Sequence, residues 1–131
     1  MKTKKIAIVG SDQSKIDAYI YALNEDVKVY SHDIVDNGEH NVEDMLDDYI
    51  DDSSKELFER SSVDTVLVSN PINAYVMAIQ AREQGSIGDA ALDHYEMIMQ
   101  QSVISCDDIL FAGGDEYKKV LDEYGIEYTT L

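Results

Sequence analysis

The chain has 131 residues, 44% of them apolar and 28% charged, which suits one folded domain with its own core. Acids outnumber bases 27 to 10, for a formal net charge of −17, and this argues against direct nucleic-acid binding, which needs clustered Lys and Arg. No apolar run approaches the roughly 20 residues that span a bilayer, so no membrane partner is expected.

The N-terminus, Met1 to Lys5, is basic, but the apolar run behind it, Ile6 to Val9, is too short for a signal-peptide core. The single Cys106 has no partner for an internal disulfide. Both observations point to a cytoplasmic protein.

Residues 6–10 read as a first strand, continuously apolar as in a strand covered on both faces. Gly10-Ser11-Asp12-Gln13-Ser14 then turns into a helix over 14–24, with Ile16, Tyr19, Ile20 and Leu23 on one face and Ser11, Asp12 or Ser14 as N-cap. Val27 to Ser31 reads as a second strand. Asp36-Asn37-Gly38 signals a turn. An amphipathic pattern follows, with Val42, Met45, Leu46, Tyr49 and Ile50 opposite an Asp-rich face of Glu43, Asp44, Asp47, Asp48, Asp51 and Asp52. Ser53-Ser54 is expected to divide this helix, with Ser54 capping the second piece.

Val63 to Ser69 is the strongest strand. Asn70 is a natural N-cap and Pro71 a natural first helical residue, and Gly85 marks the stop. A second helix follows directly, with Leu92, Tyr95, Met99 and Val103 on one face. Ile109 to Ala112 forms a fourth strand closed by Gly113-Gly114. A short helix through Tyr117, Val120, Leu121 and Tyr124 stops at Gly125, and Ile126 to Thr130 is the last strand.

This alternation predicts a single domain over 1–131, a three-layer α/β/α sandwich around a mostly parallel five-stranded sheet. The expected strand order is 2-1-3-4-5, Rossmann-like or flavodoxin-like, with the switch point between strands one and three. Ligands in such sheets bind at the carboxyl ends of the strands. The expected ligand-binding residues are Gly10, Ser11, Asp12, Ser14, Ser69, Asn70, Asn73, Gly113 and Gly114. Hydroxyls, amides and helix N-termini hold a phosphate or ribose without Lys or Arg. Ser11, Ser14 and Asn70 are equally the residue types that cap helices.

Neither the dinucleotide fingerprint nor the phosphate-binding P-loop is present. Asp12, His32 and Glu116 are the acid–base candidates if a reaction is catalysed, with His32-Asp33 the best pair. His40 and His94 read as exposed. Cys106 reads as core packing rather than a nucleophile. No cofactor is called for, and no spacing of His, Cys and acids suits a metal.

The segments Lys5 to Ser11, Val66 to Ser69 with the helix ending Ala81-Arg82-Glu83-Gln84-Gly85, and Ser105-Cys106-Asp107-Asp108-Ile109-Leu110-Phe111 into Gly113-Gly114 resemble the Rossmann-like SLOG superfamily. They are also similar to the nucleoside deoxyribosyltransferase-like family. The resemblance implies a nucleotide-related small ligand. It carries over no catalytic residue, because Ser69-Asn70-Pro71 stands where SLOG members have a glycine-rich turn, and Gly113-Gly114-Asp115-Glu116 where both families have Gly-Thr.

The expected function is therefore binding of a nucleotide or related phosphorylated metabolite at the strand ends. Two alternatives stay open: a nucleotide- or nucleoside-processing enzyme, and an acidic interaction module that meets a basic protein partner through the Asp-rich helix 43–52. The acidity equally suits simple solubility or high salt. A homodimer through the helix of residues 92–103 is a further candidate assembly.

Overall fold

A computed structural model of the chain describes residues 3–31, Leu46, Ile50 and residues 52–131. Five strands form one parallel sheet: β1 (Lys5–Val9), β2 (Lys28–Tyr30), β3 (Thr65–Val68), β4 (Asp108–Phe111) and β5 (Thr129–Thr130). Between them lie α1 (Gln13–Tyr21), α2 (Asp52–Arg60), α3 (Pro71–Glu83), α4 (Asp89–Ser105) and α5 (Asp115–Glu123). The parallel α/β architecture follows the sequence pattern, including the two successive helices before β4.

The strand order is β2-β3-β1-β4-β5, not the 2-1-3-4-5 order expected. β1 and β3 exchange places. Both are short, apolar and covered on two faces, so hydrophobicity cannot rank them. The deciding contact is at Gly10, whose φ is +138°. A Cβ built there would lie 2.6 Å from the Gly113 carbonyl oxygen and 2.8 Å from the Ala112 carbonyl carbon. Only a glycine lets the end of β1 lie this close to the end of β4. β1 thus pairs with β4 on one side, Ile8 against Leu110, and with β3 on the other, Ile8 against Val68.

Strand alternation sends Ile6 and Ile8 to one face and Val9 to the other. The first face joins Ile6, Ile8, Val66, Val68 and Leu110 to Ile16 of α1. The second joins Val9, Ile109 and Phe111 to Leu46, Ile50, Ile72, Tyr75, Met99 and Val120. Right-handed crossovers explain this division. The step from β1 to β2 runs one way along the sheet, and every later step runs the other way. Among the described residues α1 covers its face alone, while α3, α4 and α5 share the opposite layer.

Local boundaries also differ. Helical backbone runs unbroken from Asp52 to Arg60, so Ser53-Ser54 does not divide that helix. Only Thr129 and Thr130 of the expected last strand pair with β4, because Ile126 donates its N–H to the Leu121 carbonyl and closes α5 instead. The Asp-rich stretch 43–52 lies largely outside the described residues. Within it, Leu46 and Ile50 are helical and buried.

Cys106 ends α4, with its thiol donating to the Ser102 carbonyl at 3.2 Å. Burial pushes its pKa up to about 12, which removes thiolate character at neutral pH. Tyr75 and Tyr124 join α3 to the end of α5 through a hydroxyl–hydroxyl bond of 2.8 Å, and burial raises both phenols.

Two outcomes follow from these contacts. Gly10→Ala should destabilise the protein by about 2 kcal/mol or more, through a positive-φ alanine facing the Gly113 carbonyl, as read from urea unfolding. The Cys106 contribution to stability should be fully present up to about pH 8.5 and be lost above it, because the unfolded thiol ionises before the folded one, at up to about 1.4 kcal/mol per pH unit. Cys106→Ala should flatten that decline. A Cys106 thiol that reacts freely with a thiol reagent in the folded protein would contradict the raised pKa.

Candidate ligand site at the strand ends

The carboxyl ends of β3, β1 and β4 lie side by side, and their loops are stitched together by the chain's own hydrogen bonds. Asn70 precedes α3 with extended backbone, φ −82° and ψ 174°, as an N-cap requires. Its Oδ1 accepts from the N–H groups of Ile72 at 3.0 Å and Asn73 at 3.3 Å. Its Nδ2 donates across to the Ile8 carbonyl of β1 at 2.7 Å. Asn73 Oδ1 accepts from the Gly10 N–H at 3.2 Å. Both asparagines are buried, at 1% and 2% exposure. Pro71 has no N–H, and Ala74 donates to the Asn70 carbonyl. The first turn of α3 is therefore internally satisfied.

On the other side of β1, the N–H of Ser11 donates to the Gly113 carbonyl at 3.1 Å and that of Asp12 to the Ala112 carbonyl at 3.0 Å. The amides of Gly10, Ser11 and Asp12 are thus occupied by protein acceptors. The Asp12 side chain caps α1, accepting from the Lys15 N–H at 3.3 Å. A carboxylate already sits where an anion would meet the α1 dipole. The contrast is α5. Its cap residue is Gly114, φ +102°, and no side chain caps this helix. A Cβ on Gly114 would come within 2.9 Å of Ser11 Oγ, so that hydroxyl lies against the Gly114 backbone.

Backbone conformation marks the same place. Ser69, which ends β3, has φ +56° and is the one non-glycine with positive φ among the described residues. Gly10, Gly113 and Gly114, with φ of 138°, 94° and 102°, gather at the neighbouring strand ends. Left-handed backbone at a non-glycine is sparsely populated and collects at functional sites.

The structure therefore brings together Gly10, Ser11, Asp12, Gly113 and Gly114, with Asn70 and Asn73 buried behind them and Ser69 beside Asn70. Ser14 is exposed on the first turn of α1. Glu116 faces a different direction. Its carboxylate accepts from Gln80 Nε2 at 3.3 Å across a groove between α3 and α5. No hydrogen bond joins it to Asp12. His32 and His40 lie outside the described residues, and His94 is exposed on α4. Among the described residues no group of three His, Cys, Asp or Glu is placed to hold a metal. Sequence reasoning missed the acceptors at the site, the carbonyls of Ile8, Ala112 and Gly113, since a carbonyl's direction carries no residue signature. The glycine at position 10 was the available signal for a close approach.

No protein-family model matches the chain, and no curated protein matches it. Among solved structures it is similar to a NadR protein crystallised in complex with NR, at 14% identity and a TM-score of 0.61. The match covers 98% of this chain and 43% of that one, so this chain spans less than half the length of that protein. The likeness shows a shared Rossmann-like α/β fold and does not single out the SLOG superfamily.

Removing either asparagine leaves a buried main-chain group without its partner. Asn70→Ala should cost about 2–4 kcal/mol, since it deletes a cap and a cross-strand bond together, and Asn73→Ala about 1–3 kcal/mol, both read from urea unfolding. A loss below about 0.5 kcal/mol at Asn70 would contradict the buried network.

Proposed function

We propose that this protein binds a nucleotide-like small molecule in the crevice above β3, β1 and β4. The observation that carries this reading is the concentration of left-handed backbone at Gly10, Ser69, Gly113 and Gly114, at the carboxyl ends of three adjacent strands. β1 sends its helix to one face of the sheet, and β3 and β4 send theirs to the other, the arrangement in which parallel sheets of this kind hold ligands beside the switch strand. The fold shared with a NadR protein crystallised with NR, and the resemblance to SLOG proteins, support the same ligand class.

The chemistry assigns two ends to the ligand. The Asp12 carboxylate repels a phosphate and accepts hydrogen bonds from hydroxyls, so the sugar lies over Asp12. The phosphate of a nucleotide lies beside Ser11 Oγ, which donates, at the N-terminus of α5, which no side chain caps and whose first turn carries Asp115 and Glu116. Asn70 and Asn73 hold the loops in place rather than touch the ligand. This is a binding function, with no turnover assigned. Asp12 holds a cap and Glu116 a glutamine, and among the described residues neither forms an acid–base pair with another titratable side chain.

The test is calorimetry and thermal shift against nucleosides and their monophosphates. A ligand at ~100 times its Kd should stabilise by about 2.7 kcal/mol. Asp12→Asn keeps an N-cap residue and removes the charge, so the fold should survive while nucleoside affinity falls by about tenfold. Ser11→Ala should weaken monophosphates by about three- to tenfold and leave nucleosides unchanged. If no nucleoside or nucleotide stabilises the protein, the reading fails.

A further inference from the structure

On α3, Val76, Ile79, Gln80 and Glu83 follow the i, i+3, i+4, i+7 spacing of one helix face. On α5, Glu116, Lys119, Val120 and Glu123 follow the same spacing, and the two faces line one groove of about 390 Å³. Its floor is apolar. Val76 and Val120 belong to the buried core, at 2% and 3% exposure, and Ile79 packs half-buried against that core. Its rim is acidic. Glu83, Asp115, Glu116 and Glu123 are all exposed and face the single ammonium of Lys119. The Gln80 amide donates to Glu116 and adds no charge. Among the described residues no ion pair reaches these four carboxylates, and Arg82, next to Glu83 in the chain, is held by Asp89. Burial raises the Tyr75 phenol, and the fields of Glu96, Glu123 and Asp93 raise it further, so the negative potential reaches the side chain next to Val76.

We infer that this groove is a docking site for a basic amphipathic helix of a partner protein. Charge complementarity selects the occupant. The apolar face of such a helix fills the floor between α3 and α5. Lys or Arg on its flanks meet carboxylates on both walls, Glu83 of α3 and Asp115, Glu116 and Glu123 of α5. A bare polyamine would pair with the rim but bring no branched side chain to the floor. A second copy of this chain, at −17, is repelled by the same rim. The chain has no Lys or Arg from Val29 to Ser54 to lay there, and Lys4 and Lys5 are engaged by Asp108 and the Glu59 carbonyl.

The experiment is fluorescence anisotropy of the full chain with two labelled Leu/Lys peptides of one composition. One is ordered as an amphipathic helix, and the other is shuffled so that no apolar face forms. The expected result is saturable binding of the amphipathic peptide, about tenfold or more tighter than the shuffled one, which weakens as sodium chloride rises. Glu83→Lys combined with Glu123→Lys should weaken that binding by about tenfold or more. Glu25→Lys combined with Asp26→Lys changes the net charge equally, at exposed positions beyond α1, and should leave binding within about twofold. Ile79→Ser should reduce the preference for the amphipathic order. Circular dichroism checks that each variant is folded, which the exposure of the four charge-reversed positions favours. Absence of binding, equal binding of the two peptides, or an equal loss from the two double variants would each overturn the inference. So would spermine binding as tightly as the amphipathic peptide, or a dimer of the chain that the Glu83, Glu123 double variant abolishes.

Discussion

The close approach of Gly10 to the Ala112–Gly113 peptide is the contact on which the arrangement of this molecule depends. It places β1 beside β4, and the opposite edge of β1 is left for β3. It also brings the first loop within hydrogen-bonding distance of the fourth, so Ser11 and Asp12 find acceptors in main-chain carbonyls. Asn73 completes the arrangement by accepting the Gly10 N–H from the other side. One residue without a side chain thus joins three strands at the end where their loops converge.

This arrangement also decides which polar groups at the strand ends are already engaged. In many parallel α/β proteins the first loop offers free amides to an anion. Here those amides are held by carbonyls, an asparagine satisfies the start of α3, and a carboxylate caps α1. The N-terminus of α5 alone among these three lacks a side-chain cap.

The net charge of −17 bears on solution behaviour more than on the fold. The ion pairs present, such as Lys4–Asp108 at 2.7 Å and Arg60–Glu56 at 2.7 Å, are between exposed side chains and contribute little. With 27 acids and 10 bases, carboxylates far outnumber the basic groups that could pair with them. Cohesion rests on two apolar layers, one against α1 and one against α3, α4 and α5.

Much of the fold was legible in the sequence, because burial and capping leave local signatures. The apolar runs of β1, β3 and β4, the Asn70-Pro71 start of α3 and the stops at Gly85 and Gly125 each depend on neighbours along the chain. The strand ends were also identifiable as a place, since parallel crossovers bring all the βα loops to one edge. What only the tertiary structure decided was the exchange of β1 with β3, the burial of Asn70 and Asn73, and the separation of Glu116 from Asp12. Each depends on residues far apart in the chain, as with Asn70 and the Ile8 carbonyl. Residue type shows that an asparagine can cap, but not that its second amide group reaches a carbonyl of another strand. The sequence by itself determined the elements and the end of the sheet where the βα loops gather. Strand order and the direction of each polar group were left to packing, because two buried strands of equal hydrophobicity are distinguished only by which neighbour's backbone fits against them.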